Sequence, residues 1–216
     1  ADTVVIDLKQ SEDEILASFK QRARRAIRKA EKAGLVVEEV EPSLENLKQF
    51  YKLYKQTSER AGFFIRNEIY YLKFWQIFTS SNMGKLFLAK LGPEFVSGAF
   101  ILNNENKALY KDGASVRIKD SEGSAYLLHW EIIKRLKKAG IKEYDLHGTP
   151  PPDKLEDKTH PFHSIGRFKT AFSQEVTSYL GAYDLIIKPK QYKLWSRLGL
   201  RFYQAWEHKI KKQTFY

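Results

Sequence analysis

The chain has 216 residues, 43% hydrophobic and 14% aromatic, enough apolar mass for a folded core in one large domain or two small ones, which excludes a disordered protein. It contains no cysteine, so disulfides and thiolate zinc sites are excluded, as fits a reducing compartment. Lysine and arginine outnumber the acids 37 to 26, and the resulting charge of +11 favours anionic partners: nucleic acid, phosphates or an acidic membrane surface.

No apolar run approaches the ~18–20 residues that cross a bilayer. The N-terminus lacks the basic segment and apolar block of a signal peptide. The chain starts at Ala1 instead of Met, which leaves open that it is a fragment.

Thr3–Leu8 reads as a strand. Ser11 and Glu14 form a capping box, and the helix it opens is predicted to run to about Ala33 and stop at Gly34. Ile15, Phe19, Ala23, Ile27 and Ala30 recur at three- and four-residue spacing and predict one buried stripe. The rest of this helix is crowded with cations, Arg24, Arg25, Arg28 and Lys29 among them, with Glu31 the lone acid in their midst. Like charges four residues apart repel. The face is therefore a candidate for phosphate or RNA contact as well as a solvated surface.

Leu35–Val40 is a second strand, and Pro42-Ser43 opens a helix from Leu44 to about Ser58 with Leu47, Phe50, Tyr51 and Tyr54 as core candidates. A turn holding Arg60 and Arg66 leads to a third helix, Asn67 to about Phe78. Lys85–Leu91, Phe95–Leu102 and Lys107–Gly113 are strands joined by short turns and predict an antiparallel meander. A helix from Ser124 to Gly140 then delivers the strand Glu143–Leu146, as in a β-α-β unit.

Residues 147–165 read as a long proline-broken loop, a length that usually carries function or mobility. In the stretch that follows, Gly166–Phe172, Lys169 stands between Phe168 and Phe172. A cation so flanked at the mouth of a sheet is suited to stabilising negative charge. His160-x-x-His163 lies in the loop without a firm third ligand, so no metal is expected. Val176–Ile187 is a second apolar run. Lys188–Tyr216 predicts a final helix with Trp195, Leu198, Phe202, Trp206 and Ile210 on one side and cations on the others. That helix is either packed with its basic face outward or interfacial.

This order of elements is that of the GNAT acyltransferase fold, an α/β architecture with a mixed sheet flanked by helices. Acetyl-CoA-using members carry Arg/Gln-x-x-Gly-x-Gly/Ala ahead of the long helix, where backbone N–H groups cradle pyrophosphate. Here the junction Ala114–Ala125 holds one glycine, Gly123, with no Arg or Gln in register, so neither CoA nor any other cofactor is expected.

Several motifs occur in order along nearly the whole chain. They are the basic helix Arg24–Gly34, then Thr57-x-x-Arg60-x-x-Phe63-x-x-Arg66-x-x-x-Tyr70-Tyr71, then Ala108-Leu-Tyr110-Lys-Asp-Gly113. Leu127-Leu-His-Trp130, Tyr144-Asp-Leu-x-Gly148 and Gly166-x-Phe168-Lys169-x-x-Phe172 follow. In this set the chain resembles the Fem (FemABX) family of aminoacyl-tRNA-dependent peptidoglycan peptidyltransferases. Family members carry two GNAT-like halves, and the chain resembles the second, with the helix leading into it. A single GNAT-like domain over residues 1–187 is expected, with a basic helix over 188–216 packed on it or on a partner. A first GNAT-like domain is then a missing partner.

The resemblance implies transfer of an amino acid from aminoacyl-tRNA to the stem peptide of a peptidoglycan precursor, UDP-MurNAc-pentapeptide or its lipid-linked form. It implies a cytoplasmic location, with peripheral contact at the inner membrane face as an option. It assigns Arg66 to the precursor's diphosphate, whose oxygens a planar guanidinium matches. Tyr70 lies one turn along the same helical face, and Tyr110 adds a hydroxyl. Lys169 is assigned to the oxyanion of ester aminolysis and Phe168 to the tRNA-terminus site. Arg24, Arg25, Arg28 and Lys29 are the expected tRNA contacts. Without the resemblance, Arg66 reads as a surface salt bridge, the tyrosines and Phe168 as core, and Lys169 as a solvated charge. The alternatives are a GNAT-like N-acyltransferase with another donor and a non-catalytic basic module that binds tRNA or membrane.

Overall fold

Two short strands, β1 (Asp2–Thr3) and β2 (Val5–Asp7), open the computed structural model, which describes residues 2–207. The capping box forms: the Ser11 N–H donates to the Glu14 carboxylate at 2.8 Å and the Glu14 N–H donates to the Ser11 hydroxyl at 3.2 Å. The helix it opens does not continue to Ala33, however. Helix α1 is Glu12–Ser18 and α2 is Gln21–Lys32, with Phe19 and Lys20 extended between them at ψ 144° and 146°. Packing explains the break. It drops Phe19 edge-on against Trp130 (5.7 Å) and Phe172 (5.1 Å), and the freed Lys20 N–H donates to the Ala171 carbonyl at 2.9 Å. The predicted stripe from Ile15 to Ala30 is buried all the same.

The chain continues through β3 (Leu35–Val40), α3 (Leu44–Ala61), α4 (Glu68–Ser80), β4 (Gly84–Leu91), β5 (Glu94–Asn104), β6 (Lys107–Ser115), α5 (Ser124–Lys138) and β7 (Glu143–Asp145). Side chains of Ser43 and Asn67 cap α3 and α4, and Gly62, at φ 74°, closes α3 in the left-handed region that favours glycine. The main sheet runs β2-β7-β6-β5-β4-β3, antiparallel throughout except for the parallel pair β6–β7. The expected meander and β-α-β crossover are both present. Helices α1, α2 and α5 bury one sheet face around Phe87, Ile133 and Tyr144; α3 and α4 bury the other around Phe50, Trp75 and Phe100.

Two departures from regularity shape the sheet. In β6, Asp112 pairs with Phe100 and Tyr110 pairs with Ile101, so Lys111 is an extra residue, a β-bulge. Strand alternation would put residues 110 and 112 on one face. The bulge instead sends Tyr110 to the first core and Asp112 to the second, where it accepts from Trp75 Nε1 at 2.9 Å. The pairing of β6 with β7 also stops at Leu109 and Asp145, so from Tyr110 onward β6 has no partner on that side among the described residues.

Residues 147–165 are less irregular than expected: a 3₁₀ turn covers Pro152–Lys154, and helix α6 (His163–Lys169) begins inside the span and carries Gly166–Lys169. A Cβ on Gly166 would lie 2.5 Å from Pro150 Cδ, so α6 rests directly on the proline segment. Of the apolar run Val176–Ile187, strand β8 (Thr177–Ser178) pairs antiparallel with β1, while Leu180, Tyr183, Leu185 and Ile187 are exposed. The C-terminal helical segment comprises α7 (Pro189–Leu194), a wide turn over Trp195–Gly199 and α8 (Leu200–Trp206). The rest of the predicted final helix, Ile210 included, lies outside the described residues.

The α6–proline contact yields a test of the packing. Gly166→Ala should lower the unfolding free energy by about 1–3 kcal/mol, the usual cost of overpacking, seen as a lower midpoint with unchanged slope in urea titration.

Candidate functional site

Lys169 ends α6, and its side chain is 8% exposed, which rules out a solvated surface charge. Its Nζ donates to the backbone carbonyls of His147 and Gly148, the latter at 2.9 Å. Both acceptors belong to the turn that leaves β7, where His147 (φ 57°) and Gly148 (φ 46°) are left-handed. That conformation is unfavourable for histidine. Asp145 holds it: Oδ1 accepts from the His147 N–H at 2.7 Å and from Thr3 Oγ1 at 2.5 Å. The ammonium is thus seated by a chain of contacts from β1, through the end of β7, to the turn.

Burial pulls the Lys169 pKa down to about 8, against the opposing attraction of Asp145. The ammonium still predominates at pH 7. It has three N–H donors, and two are spent on carbonyls. The third is available for an anion, and a buried, fixed donor is what an oxyanion site requires.

Tyr110 joins this group, its ring centroid 5.7 Å from Lys169 Nζ. The ring lies across Gly113, where a Cβ would fall 1.5 Å from the Tyr110 hydroxyl. Phe168, half-buried, packs against Tyr126 at 4.9 Å and Phe172 at 5.3 Å. Buried His129 completes the wall. Its Nδ1 is hydrogen-bonded to the Tyr144 hydroxyl at 2.9 Å, and the Tyr110 ring meets it edge-on at 4.4 Å. Burial first, and Lys169 second, push the His129 pKa down to about 3, so it is neutral at physiological pH. Burial also raises the Tyr110 and Tyr144 hydroxyls far above their usual range, leaving both protonated.

Arg66 and Tyr70 form a second group at the start of α4. The Arg66 guanidinium lies 4.5 Å from the centre of the Tyr70 ring, and the Tyr51 hydroxyl donates to the Arg66 carbonyl at 3.2 Å. Burial raises the pKa of Tyr54, Tyr71 and Tyr110, and the Asp112 charge adds to each. Tyr54 and Tyr71 hydrogen-bond to each other, and Tyr71 is pushed up to about 12.

On α2, Arg25 and Arg28 are exposed without a side-chain partner among the described residues. Arg24 Nη1 donates to the Ala17 carbonyl at 3.3 Å, and Lys29 is paired with Glu122. Arg22 donates to the Arg167 carbonyl, so this basic helix begins beside α6.

The structure therefore brings Phe168, Lys169 and Tyr110 together, and Arg66 and Tyr70 separately. Sequence reasoning held Asp112, His129, Tyr144 and Asp145 within its motifs, weighing Asp145 only as a metal candidate, and gave none of them a part in this site. Of these motifs, Ala108-Leu-Tyr110-Lys-Asp-Gly113 was the usable signal for Asp112, although Lys111 beside it gives no sign that the carboxylate is buried. Among the described residues, no three His, Asp or Glu side chains are placed to hold a metal.

The buried ammonium carries a stability prediction. With the folded pKa near 8 and the usual value at 10.5, the unfolded chain holds the proton more tightly between those values. The charge is then a cost to folding, on the order of 3 kcal/mol, that is full below pH 8 and fades as pH rises to 10.5. Lys169→Met should leave the unfolding midpoint at pH 7 unchanged or raised, with any gain shrinking by pH 10. A loss above about 2 kcal/mol at pH 7 would mark Lys169 as a structural residue instead.

A model of the FemAB family matches residues 1–94 and 85–198. The lipid II:glycine glycyltransferase of Staphylococcus haemolyticus is 22% identical over 267 aligned positions, covering 94% of this chain and 62% of the relative, so the chain spans under two thirds of that protein's length. A crystal structure of FemX superposes with a TM-score of 0.79 at 22% identity, over 89% of this chain and 63% of that one. A predicted acetyltransferase from Clostridium acetobutylicum, solved with acetyl-CoA, gives a TM-score of 0.51 at 9% identity, over 71% of this chain and 96% of that one. These likenesses bear out the α/β, GNAT-like mixed sheet. With its two matched segments spanning residues 1 to 198, the chain belongs to the FemAB family.

Proposed function

We propose that the chain is the catalytic part of an aminoacyltransferase that moves an amino acid from aminoacyl-tRNA to the stem peptide of a peptidoglycan precursor. The observation that carries this reading is the Lys169 ammonium, buried beside Tyr110 with two of its three donors committed to carbonyls. The glycyltransferase relative is named for lipid II, which supports a lipid-linked acceptor over the nucleotide form.

In this reading the acceptor's amine attacks the ester carbonyl of the donor. A C–N bond forms, and the carbonyl electrons move onto oxygen, where the third N–H of Lys169 meets the charge. Collapse breaks the C–O bond to the tRNA ribose, and the amine's proton passes to that leaving oxygen by way of substrate groups. His129 is too acidic, and Lys169 below pH 8 too fully protonated, to serve as the base. Phe168 offers a ring face at the tRNA terminus, suited to stacking on adenine. Arg66 and Tyr70, beside the N-terminus of α4, suit the acceptor's diphosphate, since the helix end adds its own attraction for anions. The exposed Arg25 and Arg28 on α2 serve the tRNA backbone; Arg24 and Lys29 join once their present contacts open, and an exposed pair such as Lys29–Glu122 opens cheaply. The greater length of the relatives supports a further GNAT-like half in the working enzyme. Both substrates place the reaction on the cytoplasmic side.

Transfer from charged tRNA to lipid II or UDP-MurNAc-pentapeptide tests this reading. Lys169→Ala should reduce the rate by about 100-fold or more while tRNA affinity stays unchanged. Undiminished transfer would reject the oxyanion role, and tRNA binding without transfer by the wild type would point to a non-catalytic module. Transfer should also fall as pH rises through 8, where Lys169 loses its proton. Affinity for tRNA should drop steeply with salt, and Arg25→Ala with Arg28→Ala should flatten the log–log salt slope by about 2.

A further inference from the structure

The segment from Leu180 to Trp206 plays no part in the site described above, and it has the most conspicuous surface of the molecule. On the helical segment, Leu194, Leu198 and Phe202 are 63–70% exposed, and Trp195 and Trp206 are nearly half exposed. They recur at three-, four- and seven-residue spacing and so share one side of the helix. Lys190, Lys193, Arg197 and Arg201 recur in the same way on the other side, all exposed. Between Asp184 and Glu207 there is no acid at all. The approach adds Leu180, Tyr183, Leu185 and Ile187, each at least 81% exposed, and Tyr192 and Trp195 join Leu185 and Ile187 around a shallow hollow of about 400 Å³.

Apolar residues of the two cores are 0–8% exposed, so this face is not an extension of either. A continuous apolar face of this extent on a soluble chain marks an interaction surface. Its chemistry discriminates among occupants. Nucleic acid would use the cations and leave the leucines in water. The helix flank is basic and free of acid, and Asp184 in the approach is engaged by the Tyr192 hydroxyl at 2.6 Å; set against a Trp-, Phe- and Leu-rich face, that flank fits an anionic surface with an apolar interior. Tryptophan at the edge of such a face suits the boundary between water and acyl chains. The segment is not a membrane span, since no helix among the described residues is long and apolar enough to cross one.

We propose that Pro189–Trp206, with the exposed irregular approach before it, lies flat on an anionic lipid bilayer, burying Trp195, Leu198, Phe202 and Trp206 among the acyl chains while Lys193, Arg197 and Arg201 face the headgroups. The proposal does not depend on the transferase reading.

The test is co-sedimentation of the full chain with vesicles of phosphatidylcholine alone or enriched in phosphatidylglycerol, free of precursor and tRNA, so that its failure and the failure of the transferase reading are separate events. Binding should be at least about tenfold tighter to the anionic vesicles and weaken with salt. Brominated lipids should quench tryptophan fluorescence. Leu198→Ser with Phe202→Ser should abolish binding, and Lys193→Glu with Arg197→Glu should remove the preference for anionic lipid. None of these positions touches a core, so thermal melts should not move. Absence of binding to anionic vesicles overturns the proposal. So does binding that survives the double serine substitution, which would make it a charge effect only. So does a stable dimer that the serine substitutions dissociate, which would make a second copy the occupant. Loss of tRNA affinity in the glutamate variant, with vesicle binding intact, would give the cations to RNA and overturn it as well.

Discussion

A primary ammonium held out of water, on the peptide oxygens of two consecutive left-handed residues, is the constraint around which this molecule is arranged. Desolvating a charge is expensive unless dipoles replace the lost water. Here the replacement comes from His147 and Gly148, and their conformation persists because Asp145 and Thr3 hold it. The parting of β6 from β7 beyond Asp145 supplies the room, and α6 delivers the lysine into it. Removing any one of these would leave either an unsolvated cation or a strained turn with nothing to hold.

The aromatic surroundings follow from small residues and one irregularity. Gly113 gives the Tyr110 ring a place to lie, and the bulge at Lys111 keeps Asp112 away from it on the opposite face. Were β6 regular, the carboxylate and the phenol would crowd one side, and the lysine would face an acid in place of a ring. Each side thus carries its own pair of opposite charges: the Lys169 ammonium, among neutral hydroxyls and a neutral imidazole, is drawn by Asp145, and the Asp112 carboxylate, beside Trp75, Tyr54 and Tyr71, is paired with Lys111 at 3.3 Å.

Much of the architecture was legible because it is locally encoded. The apolar runs of the meander strands with the short turns between them, the Ser11 box and the helix starts at Ser43 and Asn67 all act within a few residues of themselves. The break at Phe19 was not legible, because the stripe it belongs to looks the same in one helix or two; its partners Trp130 and Phe172 lie more than a hundred residues away. The site was legible in part. Lys169 and Phe168 stood out by their neighbours, and Tyr110 and Arg66 by family resemblance. His129 and Asp112 owe their importance to burial, and half-buried Asp145 owes its own to the bonds from Thr3 and His147, all of which only the assembled sheet creates. Lys169 shows the same limit, since as a lysine near a helix end it gives no local sign of being enclosed.

The pairing of β1 with β8, together with the bond from Thr3 to Asp145, has a mechanical meaning. Strand β1 is threaded between β8 and the turn that cradles the cation. A pull on Asp2 would pass from Thr3 through its hydroxyl to the Asp145 carboxylate, and from there through the His147 N–H to the turn that holds the Lys169 ammonium. Strand β1 is in this sense a lever on the turn.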